Sequence, residues 1–335
     1  MDSLRGKRIL VTGGNGFLGK FVVARLKTEG ASDVYVLRKR SYNLCSREAV
    51  SRLYSETRPQ IVIHLAASVG GIGANRENPG KFFYENMAMG LHVIEEARCY
   101  GCVEKLVMVG TTCSYPKHTR IPFQEEDLWS GYPEETNAPY AIAKKALFVM
   151  AQSYREQFGL NTICLIPANL YGPGDNFDPQ TSHVIPALIR KFVEAKQSGA
   201  RSVEVWGTGN VSREFLYVED AAVGIVLATL RYDRGAPINL GTGFEISIRD
   251  LVNKIREIAG YVGDVTWNHS KPDGQPRRKL DVRKALQEFN FQAQTDLNSG
   301  ISATVEWYQK CGRDSGRDMQ VEEVHPERES AVTGD

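Results

Sequence analysis

Arg8-Ile9-Leu10-Val11-Thr12-Gly13-Gly14-Asn15-Gly16-Phe17-Leu18-Gly19 decides the fold. A strand-like run ends in a glycine-rich turn, and a helical pattern over Leu18–Thr28 follows at once. Gly13 lets the chain reverse, Gly16 lets backbone approach a pyrophosphate, and Gly19 permits close packing of helix on strand. The helix start adds N–H donors and a positive dipole end. Glycine turns are common, but strand, turn and helix in this order mark Gly13, Gly14, Asn15, Gly16, Phe17, Leu18 and Gly19 as a dinucleotide site.

Outward from this unit, short β-branched runs alternate with helical stretches. Strands are predicted at Asp33–Arg38, Ile61–Leu65, Leu106–Gly110, Thr162–Pro167 and Ile238–Leu240, and helices at Arg47–Glu56, Met89–Arg98 and Tyr140–Gln157. This rhythm predicts an α/β fold, a doubly wound parallel sheet of the Rossmann type, with a smaller α/β domain after it. Residues 1–172, with a returning segment at about 206–243, are expected to form the dinucleotide domain. Residues 173–310 are expected to form a discontinuous substrate domain, and 312–335, rich in charge and without apolar period, a disordered tail.

The chain has 335 residues, with 41 Lys+Arg against 40 Asp+Glu, which argues against a surface built to coat nucleic acid or an anionic membrane. No apolar run approaches the ~18 residues of a membrane span, and no secretory leader pattern opens the chain. A cytoplasmic protein is expected. The six cysteines are scattered; Cys99 and Cys102 form a lone CxxC without a second ligand pair, so no metal site is expected.

One strand beyond the glycines, Arg38-Lys39-Arg40 stands where an acidic residue would hold a ribose 2′-hydroxyl. Arg38 and Arg40 suit a 2′-phosphate, which favours NADP(H), unless the run is only a solvated basic turn. Tyr140 and Lys144, four apart on a helix, share one face. A cation beside a phenol stabilises phenolate, and the pair can protonate a carbonyl oxygen as hydride reaches its carbon. Thr111, after Gly110 at a strand end, offers a further hydrogen bond. A lone YxxxK is ordinarily structural; downstream of a dinucleotide turn it becomes specific.

The glycine turn, Thr111 and Tyr140/Lys144, with Asn169-Leu170-Tyr171-Gly172-Pro173 and Arg213-Glu214-Phe215-Leu216-Tyr217-Val218-Glu219-Asp220, resemble the extended short-chain dehydrogenase/reductase superfamily. Val69-Gly70-Gly71-Ile72, Cys113-Ser114-Tyr115-Pro116-Lys117, Asn137-Ala138-Pro139, Ser182-His183-Val184-Ile185-Pro186 and Ser270-Lys271-Pro272-Asp273-Gly274 are similar, within it, to the GDP-L-fucose synthase family. The resemblance spans about residues 7 to 310. It implies a multifunctional oxidoreductase and isomerase of nucleotide-sugar biosynthesis. Such an enzyme inverts GDP-4-keto-6-deoxy-D-mannose at C3 and C5 and reduces C4 with NADPH, giving GDP-L-fucose.

The resemblance assigns the inversion to Cys113 and His183, and a thiolate and an imidazole can both exchange protons near neutral pH. Without it, Cys113 reads as a small core residue and His183 as a cap. It further implies cofactor contacts from Gly110, Pro167, Asn169, Leu170 and His183. Substrate contacts are implied from Cys113, Asn169, Val184, Lys191, Trp206, Arg213, Asp273 and Arg278, and a homodimer through the helices at Met89–Arg98 and Tyr140–Gln157. The chain departs from the family at Thr111 (Ser), Asn15 (a basic residue), Lys191 (Arg) and Arg278 (Lys). These changes touch phosphate recognition and leave open a related GDP-4-keto-deoxysugar or keto-heptose as substrate. A non-catalytic NADP(H)-binding sensor is the reading from another class.

Overall fold

Ile9, Leu10, Val11, Ile61, Val62, Ile63, Leu106, Val107, Ile163, Leu165 and Ile166 are all buried. Strands this apolar along their whole length need cover on both faces, which helices provide in a parallel sheet. The computed structural model describes residues 3–37, 40–271 and 274–311.

The chain runs β1 (Arg8–Thr12), α1 (Phe17–Thr28), β2 (Asp33–Val36), α2 (Arg47–Thr57), β3 (Ile61–His64), α3 (Ile72–Glu77), α4 (Pro79–Tyr100) and β4 (Lys105–Val109). It continues through α5 (Ala138–Phe158), β5 (Thr162–Pro167), β6 (Asn169–Tyr171), α6 (Val184–Ser198), β7 (Ser202–Trp206), β8 (Ser212–Tyr217) and α7 (Val218–Arg231). It ends with β9 (Ile238–Leu240), β10 (Glu245–Ser247), α8 (Ile248–Ala259), β11 (Asp264–Asn268), α9 (Arg283–Phe289) and α10 (Leu297–Cys311).

The main sheet has six parallel strands in the order β2-β1-β3-β4-β5-β9. The predicted doubly wound α/β class is therefore correct. Strand order reverses at β1, so the chain departs to opposite sides after β1 and β3, and the carboxyl ends part there into a crevice. α4 packs along α5, and α1 along α7. The strands predicted at Arg8–Thr12, Thr162–Pro167 and Ile238–Leu240 match those observed, and the other three differ by one or two residues at their ends. The helix expected at Met89–Arg98 begins ten residues earlier, at Pro79, whose fixed φ suits a first turn.

A second apolar cluster gathers Ile185, Leu188, Ile189, Phe192 and Val193 of α6 with Leu251, Val252 and Ile255 of α8 and Ile301 and Val305 of α10. Beneath it lie two small sheets: β10-β8-β6, and the parallel pair β11-β7. α7 packs on α1 and reaches β5 as well as β6 and β8, and α9 packs on α7 and β9, so both helices also lie against the large sheet's layer. The expected tail at 312–335 lies outside the described residues. Among those described, no helix is long and apolar enough to cross a membrane.

Candidate active site

A cleft of about 1530 Å³ opens at the carboxyl ends of β1, β3, β4 and β5, and residues of the second cluster close its far side. The glycine turn forms its floor. Gly13 holds φ +72°, and a Cβ there would lie 2.8 Å from the Ala66 nitrogen. A Cβ on Gly19 would lie 2.1 Å from the Gly13 carbonyl oxygen, so only glycine lets α1 start against the turn. At Gly16 a Cβ would meet nothing nearer than the Gly13 oxygen at 3.1 Å, which leaves that backbone face open to the cleft. This cradle fits the phosphates of a dinucleotide. Asn15, Phe17 and Leu18 line it, and Asn15 Nδ2 donates to the Leu37 carbonyl at 3.3 Å. Gly14 is turned away from the cleft: its Cβ would strike the Val36 side chain at 2.8 Å. Arg40 is exposed and off the cleft wall, while Arg38 lies outside the described residues.

The next wall is built by β4 and α5. Gly110 follows β4, and a Cβ on it would enter the Phe148 ring. Thr111 then caps a short 3-10 turn, its Oγ1 accepting from the Cys113 nitrogen at 3.2 Å. α5 starts at Ala138 with Pro139 in its first turn, which puts Tyr140 and Lys144 on the face towards β4. Lys144 Nζ donates to the Val109 carbonyl at 3.2 Å, and burial brings its pKa down to about 8.

The expected lowering of the Tyr140 pKa does not occur. Burial, and then the Cys113 sulfur, push the phenol well above its ordinary value, against a smaller lowering by its hydrogen bond with Thr111. At neutral pH the phenol thus keeps its proton and Lys144 its charge. That arrangement donates a proton and then meets the phenolate left behind.

His64, at the end of β3, was absent from the sequence reading. It is fully buried, its Nδ1 lies 2.8 Å from the Thr12 hydroxyl, and its Nε2 has no partner. Burial, helped by the Lys144 charge, lowers its pKa to about 3. The unfolded chain binds this proton near pH 6.5, so stability is complete above that value and is lost as pH falls towards about 3. His64→Asn is expected to flatten the fall in stability between those two pH values, measured by urea unfolding; an unchanged slope would contradict the assignment.

Cys113 and His183 both line the cleft, one on the turn after β4 and the other capping α6. Cys113 is half-buried. The His183 imidazole stands open to the cleft, yet the surrounding walls displace enough water to lower its pKa from the ordinary histidine value. Arg278 Nη1 donates to Cys113 Sγ at 3.4 Å. Pro167, Asn169 and Leu170, at the β5–β6 junction, line the same space, with Asn169 Nδ2 donating to the Glu214 carbonyl at 3.0 Å.

On the far side stand Val184, Lys191, Trp206 and Arg213. Lys191 Nζ donates to the Glu204 carbonyl at 2.8 Å and lies 5.8 Å from the Trp206 ring centre, on which Lys271 also sits at 4.9 Å. Asp273 lies outside the described residues. Among the cleft residues that escaped the sequence reading are Arg190, Asp175 and Gln275. Arg190, beside Lys191, has a buried Nε without a partner, and burial raises Asp175 to about 7. Gln275 is buried behind Arg278. The Arg190-Lys191 doublet was a visible signal; the others depend on contacts distant in sequence. Among the described residues, no cluster of His, Cys, Asp and Glu is arranged to hold a metal ion.

A glycine cradle at the switch of a parallel sheet, followed by a tyrosine–lysine pair, defines a dinucleotide-dependent enzyme, and residues 9–241 match the profile of the NAD dependent epimerase/dehydratase family, to which the chain belongs. Within that family its sequence is similar to GDP-L-fucose synthases. It is 41% identical to the GDP-L-fucose synthase of Sinorhizobium fredii, over 91% of this chain and 96% of that one. It is 40% identical to GDP-L-fucose synthase 1 of Arabidopsis thaliana, over 92% and 96%. A crystal structure of a GDP-L-fucose synthetase from Naegleria fowleri bound to NADP superposes with a TM-score of 0.86 at 30% identity, covering 94% of this chain and 97% of the other.

Proposed function

We propose that this protein is an NADPH-dependent epimerase/reductase that converts GDP-4-keto-6-deoxy-D-mannose to GDP-L-fucose. One observation carries the reading: a proton donor for reduction (Tyr140 with Thr111 and Lys144) and two groups able to exchange carbon-bound protons (Cys113 and His183) line one cleft. A simple reductase needs only the first set. The similarity to fucose synthases over nine-tenths of the chain supports the choice of sugar.

The C4 carbonyl acidifies the protons on C3 and C5. A base on one face takes such a proton, the C–H electron pair moves to the carbonyl oxygen as enolate, and the acid on the other face returns a proton to carbon. Cys113 and His183 are assigned these two roles. For reduction, Tyr140 gives its proton to the C4 oxygen, Thr111 hydrogen-bonds the same oxygen, and Lys144 faces the phenolate that results. NADPH, when bound across the Gly13–Gly19 cradle, supplies the hydride. Arg213 and Lys191 are assigned to the nucleotide diphosphate and Trp206 to an apolar face of the substrate. Incubation with GDP-4-keto-6-deoxymannose and NADPH is expected to give NADPH oxidation and GDP-L-fucose; neither would appear if the reading is wrong.

Two further proposals concern organisation. Residues 1–172 and about 206–243 make the dinucleotide domain and the rest of 173–310 the substrate domain, although β6 and β8 pair within a small sheet and α9 packs on β9 of the large one. The protein is a cytoplasmic homodimer: Phe83, Tyr84, Leu91, Val149 and Phe158 are exposed along the paired helices α4 and α5, an apolar surface suited to a second copy. Sedimentation at micromolar concentration as a monomer would refute the dimer.

A further inference from the structure

Arg278 stands where the family pattern has a lysine that meets substrate, yet its guanidinium is committed elsewhere. Nη1 donates to Cys113 Sγ at 3.4 Å, and Nε donates to Gln275 Oε1 at 2.9 Å. Gln275 is itself buried, and its Nε2 donates to the carbonyls of Lys117 at 2.9 Å and Pro116 at 3.4 Å. Those carbonyls belong to the segment that leaves Cys113. The two ends of one bracket therefore grip residues 113–117 and 275–278.

The backbone beneath Arg278 is also held. Its N–H donates to the Ser212 carbonyl at 3.3 Å. Two residues on, the Leu280 N–H donates to the buried Glu214 carboxylate at 2.6 Å. That carboxylate also accepts from the Thr242 and Gly243 N–H groups. Glu134 lies near enough to feel the Arg278 charge, but its oxygens are taken by Thr136 and Asn137. Among the described residues, Arg278 is the cation that hydrogen-bonds this sulfur.

We propose that Arg278 is a positioning residue for the thiol: its guanidinium holds Sγ and aims it into the cleft, with Gln275 as its brace. A guanidinium can satisfy sulfur and amide in one plane, whereas an ammonium has no such fork. A cation beside a cysteine favours the anion, which is the form that removes a proton from carbon. The inference rests on Cys113 being the exchanging group of the proposed function. It differs from a substrate-binding role because it acts in the protein alone.

The test is the rate at which iodoacetamide alkylates Cys113 at pH 7 in the full chain without substrate. It is followed peptide by peptide by mass spectrometry, with Cys45 and Cys311 as internal references. Arg278→Gln is expected to slow Cys113 alkylation about tenfold, the order of effect of removing a cation that touches the sulfur, with the reference cysteines unchanged. Arg278→Lys, which keeps the charge but not the fork, is expected to recover only part of the rate. Better steric access in the Gln variant would act in the opposite direction. Native rates in the Gln variant, or equal losses in both variants with faster labelling of Cys45 and Cys311, would overturn the proposal. Failure of the native protein to exchange C3 and C5 protons would instead overturn the sugar assignment and leave the alkylation result intact.

Discussion

Tyr140→Phe is expected to lower the rate of NADPH oxidation on the keto sugar by about 10²–10⁴-fold, the contribution of a positioned proton donor. The loss comes from one missing hydroxyl. In the native protein that hydroxyl is buried, strongly disposed to keep its proton, and hydrogen-bonded with Thr111. The Phe side chain fits the same space on α5, and Lys144 retains its bond to the Val109 carbonyl. Exchange of the C3 and C5 protons with D₂O should continue, because Cys113 and His183 are untouched. A variant that reduces at the native rate would remove Tyr140 from the mechanism; one that loses exchange as well would show that the two chemistries are not separable.

The second large effect has the opposite pattern. Cys113→Ser and His183→Gln are each expected to depress deuterium exchange by about 10²–10⁴-fold. Serine keeps the shape but not an acidity near neutral pH, and Gln keeps a hydrogen-bonding side chain but cannot titrate. Cys113→Ser should still bind the dinucleotide, since the Gly13–Gly19 cradle lies elsewhere in the cleft. NMR of the sugar protons in D₂O reads the result. Full exchange in Cys113→Ser would withdraw that residue from the reaction.

How legible such features are depends on how local their causes are. β1, the glycine turn and α1 are contiguous, and a strand buried on both faces is apolar throughout, so this unit could be read directly. Tyr140 and Lys144 were legible for the same reason: helical spacing fixes their common face. The first half of α4 was missed because Gly80, Lys81, Glu85 and Asn86 interrupt its apolar pattern. Asn86 is nevertheless buried, its Nδ2 donating to the Ser68 and Phe82 carbonyls while its Oδ1 accepts from the Ser68 N–H. That side chain replaces water for the loop after β3, a role that no local periodicity reports.

The short strands of the second cluster were harder still. β6 and β10 have three residues each, and β8 pairs with both, parallel to one and antiparallel to the other. Within the cleft, Lys144, Lys191, Arg213 and Arg278 were read from sequence, but their partners were not. Lys191 is held by the Glu204 carbonyl, and Arg278 reaches across 165 positions of sequence to Cys113. Motif spacing identifies residue types suited to a chemistry; only the folded chain says which neighbour each one faces. The Tyr140 phenol illustrates this. A nearby lysine led to an expectation of lowered pKa, while burial, the larger effect, raises it.

A single incubation in D₂O tests whether inversion and reduction take place in one cleft. Native protein, GDP-4-keto-6-deoxymannose and NADPH are combined, and the product is identified by NMR. The expected product is GDP-L-fucose carrying deuterium at C3 and C5 and protium at C4, because solvent supplies the first two positions and the nicotinamide the third. A reduced product that keeps the D-manno configuration and protium at C3 and C5 would contradict it.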